Sequence, residues 1–233
     1  MKTKKDKIFA FLLALCCSAF GTTYAQYDHV RKGDIIDIHG KKAIVFAIDE
    51  DGHGSAMYVG ALRGEKNAWC ANTKYASGVY AYSEIDGKAN TQAVYDYVQS
   101  NGVSLTQFPA FEWCRSLGEG WYIPSLKQME VFVHFLLGNN QDYDWDSEED
   151  FDIDAETLTT KHINVAMLEA GGIPFISSAS GSTLTSGVYT STKTHEGDVY
   201  LLVMDPSNNV WRFRIVPCSS IGKYTIGRAF YDF

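Results

Sequence analysis

The stretch FPAFEWCRSLGEGWYIPSLKQMEVFVHFLL, residues 108–137, decides the fold. Pro109 suits the first position of a helix, where its missing N–H is not needed. Ser125 with Gln128 three residues later forms a capping box, which predicts the start of a second helix, and Gly138 predicts its end. The stretch therefore predicts two helices joined by a glycine-containing turn.

Each of these helices has one apolar face. In the first, which is predicted to end at Gly118, the face consists of Phe111, Cys114 and Leu117. In the second it consists of Leu126, Met129, Phe132, Val133 and Leu136. Both helices are therefore expected to pack on a common core.

Outward from this stretch, strands are predicted towards both ends of the chain. The predicted strands are residues 35–38, 43–48, 55–59, 188–191, 199–204, 210–216 and 224–231, and two further helices are predicted near 91–100 and 160–170. The second strand is rich in β-branched and aromatic residues and is expected to be buried on both faces. Strands that flank helices predict an α+β fold in which the terminal strands share a sheet.

The N-terminus has the pattern of a secretory signal peptide. Four lysines precede an apolar run that is too short for an ordinary membrane span, and Thr23, Tyr24 and Ala25 fit a cleavage site. We predict cleavage after Ala25, with residues 26–233 as a single mature domain at an extracytoplasmic location: secreted, periplasmic or on the cell surface. Lipidation at Cys16 or Cys17 is disfavoured, because Leu15 is bulky.

The predicted mature chain is acidic. Removing four lysines and one aspartate from totals of 20 and 28 leaves 16 basic and 27 acidic residues, a formal net charge of −11. Such a surface repels nucleic acid and anionic membranes, so neither is an expected partner, and no other segment is long and apolar enough to span a bilayer.

Three cysteines remain after processing, namely Cys70, Cys114 and Cys218. In an oxidising compartment two of them can bridge, but three buried thiols are an equally good interpretation. Their spacing does not match a zinc site of the CxxC kind.

An acidic segment at residues 139–154 contains Asp142, Asp144 and Asp146, whose spacing resembles a calcium loop. The EF-hand pattern then requires Gly in place of Ser147 and Glu in place of Ile153. A solvated acidic loop is the favoured interpretation, and Ca²⁺ is the one cofactor that stays open.

Familiar catalytic motifs are missing from the sequence. It contains no GxSxG elbow, HExxH helix, P-loop or GxGxxG. Two enzyme hypotheses remain open: a hydrolase with a pair of loop carboxylates, and a thiol enzyme that uses Cys114.

Aromatic residues in the predicted loops suggest a binding surface instead. Such rings can stack on sugars or anchor a protein interface. The candidate surface combines the loops at 139–154 and 193–197 with the following residues: Tyr75, Tyr80, Tyr82, Trp145 and His195.

Six segments together resemble the bacterial Lcl C-terminal domain family. They are GKKAIVFAIDEDGHGSAMYV, DGKANTQAV, FPAFEWC, GEGWYIPSLKQME, GVYTSTKTHEGDVYLLVM and GRAF, and the most specific parts are residues 120–125 and 227–230. That family is a domain of unknown function with a C-type-lectin-like fold. The resemblance implies a twisted antiparallel sheet whose N- and C-terminal strands pair, flanked by two main helices and long loops.

Two departures from the family matter. Residues 188–192 read VYTST where the family has YWSST, and Ala229 replaces a cysteine of the last strand, which leaves Cys114 without its usual disulfide partner. The calcium-dependent sugar motifs of true C-type lectins do not occur.

These observations predict a secreted, non-enzymatic binding or adhesion module that recognises an extracellular glycan or protein. The alternatives are the two enzyme hypotheses above and a structural subunit of a surface assembly.

Overall fold

A computed structural model describes residue 27 and residues 29–63, 67–138, 158–175, 187–205, 210–219 and 225–233. These residues form a mixed α+β structure. In chain order its elements are β1 (Ile35–Ile38), β2 (Lys41–Ile48), β3 (Gly54–Tyr58), α1 (Thr73–Ala76), α2 (Gly87–Asn101), a 3₁₀ helix (Leu105–Gln107), α3 (Pro109–Ser116), α4 (Leu126–Leu137), α5 (Leu158–Glu169), β4 (Gly187–Lys193), β5 (Asp198–Asp205), β6 (Val210–Pro217), β7 (Thr225–Ile226) and β8 (Phe230–Asp232).

The strands form two four-stranded sheets. The N-terminal sheet has the order β1-β2-β3-β8 and is antiparallel throughout, and the C-terminal sheet has the order β6-β5-β4-β7, with β7 parallel to β4. Met57 of β3 pairs with Phe230 of β8, which confirms that the first and last strands share a sheet. The expectation of one sheet is wrong, because β4 to β7 form a second one.

The two sheets separate where a single last strand was predicted over residues 224–231. The chain instead makes β7 in one sheet and β8 in the other, and Gly227, Arg228 and Ala229 lie between them. Arg228 is fully buried and donates hydrogen bonds to four main-chain carbonyls, those of Val59, Gly60, Ile173 and Pro174, at 2.9–3.2 Å. Those four acceptors hold the crossing segment in place.

The two helices of the opening stretch form as predicted. The side chain of Ser125 accepts a hydrogen bond from the Gln128 N–H, and the side chain of Gln128 accepts one from the Ser125 N–H, so the capping box is present. Gly138 ends α4 with a φ of 72°, a left-handed conformation that glycine adopts without strain. Pro109 opens α3, and its predicted apolar face is buried.

The helices outside that stretch differ from the prediction at their ends and faces. Helix α2 begins at Gly87, four residues before the predicted start, because the Asp86 carboxylate caps it by accepting from the Ala89 N–H at 2.8 Å. The sequence predicts that Ile163, Val165, Met167 and Leu168 of α5 all pack on the core, which is only half right. Ile163 and Met167 are buried, whereas Val165 and Leu168 are 50% and 54% exposed.

Strand β2 separates two hydrophobic cores. Ala43 and Val45 pack in one with the residues of α3, and Ile44 and Phe46 pack in the other with the residues of α4. This alternation confirms that β2 is buried on both faces, as its composition predicted. Both cores also include residues of the C-terminal sheet, so α3 and α4 join the two sheets. None of the described helices is long and apolar enough to cross a bilayer.

Candidate functional site

Three of the predicted binding residues come together at the surface. The rings of Tyr80 and Tyr82 meet edge to face with centroids 6.0 Å apart, and the rings of Tyr82 and His195 lie 4.6 Å apart at an interplanar angle of 34°. We call Tyr80, Tyr82 and His195 the aromatic patch. Tyr80 is 78% exposed, more than any other large hydrophobic side chain in the described residues. Two loops distant in sequence therefore build one accessible aromatic surface.

A buried lysine supports the patch from beneath. Lys193, at the end of β4, is only 2% exposed, and its Nζ donates to the Ala76 carbonyl at 2.7 Å. The same Nζ lies 4.7 Å from the centroid of the Tyr82 ring, within the range of a cation–π contact. The Lys193 N–H also donates to the Ala81 carbonyl at 2.8 Å. These contacts fix Tyr82 relative to the C-terminal sheet.

His195 is held by the turn that connects β4 to β5. The Thr194 N–H donates to the Asp198 carbonyl at 2.8 Å, and the Gly197 N–H donates to the Thr194 carbonyl at 3.1 Å. Gly197 adopts a φ of +95°, which favours glycine. The turn is therefore a hydrogen-bonded element, and the patch needs little ordering before it can bind.

The remaining predicted site residues are not seen in the patch. Tyr75 is half-buried, packs against the core and has the Lys74 Nζ 4.6 Å from its ring centroid. Trp145 and the three aspartates of the suggested calcium loop, Asp142, Asp144 and Asp146, lie outside the described residues. The calcium site therefore stays a prediction. Within the described ranges, no group of three or more His, Cys, Asp or Glu side chains could hold a metal ion.

A cleft of about 960 Å³ was not predicted from the sequence. It lies between α2, the end of α3 and the turn at residues 118–122, and it is lined by Lys88, Thr91, Gln92, Tyr95, Val98, Gln99, Val103, Arg115, Gly118, Glu119, Gly120, Trp121 and Tyr122. Trp121 is 4% exposed, and its Nε1 has no hydrogen-bond partner among the described residues. The volume suits a small ligand.

A polar network lies beside this cleft, and two of the lining residues, Lys88 and Tyr122, take part in it. The Tyr122 hydroxyl donates to Asp232 Oδ1 at 2.6 Å, the Ser55 hydroxyl donates to the same oxygen at 2.7 Å, and Lys88 Nζ lies 2.9 Å from Asp232 Oδ2. Burial, and then the charge of Asp232, raise the pKa of Tyr122 well above its usual value. Tyr122 therefore stays protonated and acts as a donor that ties the turn to β8.

Cys114 lies where a nucleophile has no access to substrate. Its side chain is fully buried in the same core as Phe111 and Leu117, and burial raises the pKa of its thiol. A buried neutral thiol is inert, because the thiolate is the reactive form. This position counts against the hypothesis of a thiol enzyme.

The other two cysteines are close neighbours. The Sγ atoms of Cys70 and Cys218 lie 2.7 Å apart, and both side chains are fully buried. Nothing in the sequence spacing indicated which of the three cysteines would meet.

Comparison with known proteins adds no relative. No family profile, no curated protein and no solved structure matches this chain. The class that the described residues define is a two-sheet α+β structure with an exposed aromatic patch.

Proposed function

We propose that this chain is an extracytoplasmic, non-enzymatic binding module that recognises a glycan through the aromatic patch. The observation that carries the proposal is the close approach of the Tyr82 and His195 rings beside the highly exposed Tyr80. Rings at the surface forgo the free energy that burial in the core would give, and a cluster of them is a frequent contact for a ligand.

The chemistry of the patch favours a sugar. One face of a sugar ring carries C–H groups that pack against an aromatic ring, while its hydroxyls need polar partners at the edge. Tyr80 offers an exposed ring and a hydroxyl on the same side chain, and His195 adds ring nitrogens that can donate or accept. The ring of Tyr82 already contacts Lys193 and His195, so it supports the other two rings.

A protein ligand is the alternative, because tyrosine is also enriched at protein interfaces. A stable protein interface needs about 800 Å² on each side, much more than three side chains supply. A protein partner would therefore have to contact residues well beyond the patch.

The proposal also includes a more specific fold than the α+β class. We infer a C-type-lectin-like domain of the kind found in the Lcl C-terminal family, on the strength of the resemblance at residues 120–125 and 227–230. The pairing of β3 with β8 and the two helices on opposite sides of β2 agree with that inference. The predicted signal peptide supports a location outside the cytoplasm.

A ligand screen tests the proposal. The mature chain, residues 26–233, is applied to a glycan array and, in parallel, used to capture proteins from a cell-surface extract of its own source. Selective binding to a set of related glycans is the expected result. Capture of one protein with no glycan signal would replace the sugar by a protein ligand, and turnover of any bound substrate would contradict a non-enzymatic role.

A further inference from the structure

Cys70 and Cys218 are placed as partners by the main chain as well as by their side chains. The Cys70 N–H donates to the Cys218 carbonyl at 3.1 Å. Close by, Asn67 Nδ2 donates to the Thr225 carbonyl at 2.6 Å, so the segment before α1 is tied twice to the C-terminal part of the chain. These two hydrogen bonds therefore hold the main chain near Cys70 next to the main chain near Cys218.

The sulfur atoms lie close to bonding distance. They lie 2.7 Å apart, and a disulfide has an S–S distance of about 2.05 Å, so a movement well below about 1 Å joins them. We propose that Cys70 and Cys218 form an intramolecular disulfide bond in the exported protein. The proposal rests on the export that is part of the proposed function.

The surroundings of the pair favour the reaction. A hydrogen bond from the Cys70 thiol lowers the pKa of Cys218, and the same hydrogen bond raises the pKa of Cys70. The positive charge of Lys193 acts on both sulfur atoms in the direction of the thiolate. Cys218 is therefore the sulfur that is prepared to attack first.

The oxidant is an external disulfide of the kind that thiol–disulfide oxidases carry. The oxidation takes place when the two cysteines already face each other but the rest of the chain has not yet covered them. The Cys218 thiolate attacks one sulfur of that disulfide and releases the other as a thiolate. Cys70, as its thiolate, then attacks Cys218 Sγ and displaces the second oxidant thiolate. The two cysteine protons end on the two released thiols, and the oxidant gains the two electrons that the pair loses.

The bond leaves one cysteine of the predicted mature chain, Cys114, unpaired. Cys114 lies on α3, and Ala229 stands where the resemblance would have placed its partner, so it stays a buried thiol. The disulfide would link positions 148 residues apart and fasten the end of β6 to the segment that carries the buried Trp69. A link across so long a loop restricts the unfolded chain strongly.

Thiol mapping tests the pairing directly. Protein collected after export, without reductant, is unfolded in denaturant with iodoacetamide and digested for mass spectrometry. The expected result is alkylation at Cys114 alone and one linked peptide pair that contains Cys70 and Cys218. Alkylation of all three cysteines in exported protein, or a link that includes Cys114, would overturn the proposal.

Failure of export is a separate result with its own readout. Retention inside the cell with residues 1–25 still attached would contradict the location in the proposed function, and not the pairing. For that case, purified mature chain is refolded with glutathione disulfide and mapped in the same way. Three alkylated cysteines after refolding would overturn the disulfide.

Stability measurements with matched variants complete the test. For C70A and for C218A we expect the Tm to fall by roughly 5–15 °C, with little further loss in the double variant, because each single change already removes the bond. The control C114A keeps the bond. Because the folded protein covers the bond, each variant is unfolded in denaturant with reductant and refolded under reductant before the scan. This treatment should lower the Tm of the unaltered protein and of C114A and leave that of C70A and C218A unchanged. An unaltered protein whose Tm is the same before and after this treatment would contradict the bond.

Discussion

Arg228 is a buried cation without a carboxylate beside it in the described part of the chain. Its two terminal nitrogens donate to two carbonyls after β3 and two carbonyls after α5, and the guanidinium lies 5.6 Å from the ring centroid of Phe175. Burial, together with the charge of Arg63, lowers the pKa of Arg228 to about 9, which still leaves it charged at neutral pH. The planar fork of arginine suits four acceptors that come from two segments.

Replacing Arg228 by lysine should therefore destabilise the protein. One ammonium group cannot reach both pairs of carbonyls, so buried acceptors lose their partner, and we expect R228K to cost roughly 2–4 kcal/mol of unfolding free energy. Urea denaturation measures the loss. The exposed change R31K is the matched control and should stay within about 0.5 kcal/mol. Equal stability of the two variants would contradict the role given to Arg228.

Glu130 provides a pH-dependent prediction. This carboxyl on α4 is 6% exposed, and burial raises its pKa, although Lys127 Nζ lies 3.1 Å from Oε2 and acts in the opposite direction. With a raised pKa, the folded state binds more protons than the unfolded state above about pH 4.5, so the carboxylate lowers stability as the pH rises.

The variant E130Q removes that titration. The unfolding free energy of E130Q minus that of the unaltered protein should rise between pH 4 and pH 7, whatever its value at pH 4. Urea denaturation at a series of pH values measures this difference, in which the other titrating groups cancel. A difference that falls with pH would show that the ion pair with Lys127 outweighs burial.

For single residues, the sequence predicted which aromatic side chains would lie at the surface, but it did not predict which residues would contact them. Tyr80, Tyr82 and His195 stand out in the sequence because they are aromatic residues in predicted loops. Lys193 was missed, although a lysine at the end of the otherwise uncharged strand GVYTSTK is a visible signal. The unpartnered Trp121 Nε1 had no such signal, because its surroundings are built by elements far apart in the sequence.

Helices α2 and α4 share one amide at their starts. Gln128 Oε1 accepts from the N–H groups of Ser125 and Gly87, both at 3.0 Å, and Gln128 Nε2 donates to the Tyr122 hydroxyl at 3.1 Å. The N–H groups at the start of a helix have no partner within that helix. The single side chain of Gln128 therefore supplies an acceptor at the starts of both α2 and α4.

Removal of that amide should cost more than removal of the cap alone. We expect Q128A to lower the unfolding free energy by about 2 kcal/mol and S125A by about 1 kcal/mol. The exposed change Q99A on α2 serves as the control, and urea denaturation provides all three values. If Q128A were no worse than Q99A, the shared cap would be energetically unimportant.

Gly87 is required by close packing of the two helix starts. A Cβ at this position would lie 2.5 Å from the Ile123 carbonyl oxygen and 2.7 Å from the Ser125 nitrogen. Both are main-chain atoms that cannot rotate away. We expect G87A to cost roughly 2–3 kcal/mol.

Gly102 is the matched control for this prediction. Its φ is +60° with open space around it, so G102A tests conformational strain alone and should cost about 1 kcal/mol. Thermal denaturation ranks the two variants. A smaller loss for G87A than for G102A would contradict the close approach.

Elements with a local signal were predicted well. The capping box of α4 and Pro109 at the start of α3 each depend on neighbours in the sequence. The start of α2 was missed, although Asp86 before Gly87 is a capping signal. The split of the last strand was missed because it depends on Arg228 reaching carbonyls 54 to 169 residues away.

On the scale of the whole molecule, two sheets are held together by two cores. Strand β2 contributes alternate residues to each core, and α3 and α4 close the cores from different sides. The sequence predicted the α+β class and the pairing of the terminal strands. The sequence could not show whether the strands form one sheet or two. The alternation of residues along a strand indicates which side chains are buried, but it does not indicate which strand lies next to it. The aromatic patch lies where loops from both halves of the chain meet above this frame.

The most direct test is the affinity of patch variants for the glycan that the array selects. Isothermal titration compares the unaltered mature chain with Y80A/Y82A and with I215A, which truncates an exposed apolar side chain on β6. We predict at least about a tenfold loss of affinity for Y80A/Y82A, an affinity within about twofold for I215A, and similar Tm values for all three. Unchanged affinity of Y80A/Y82A, in a protein that remains folded, would contradict the proposal that this patch binds the ligand.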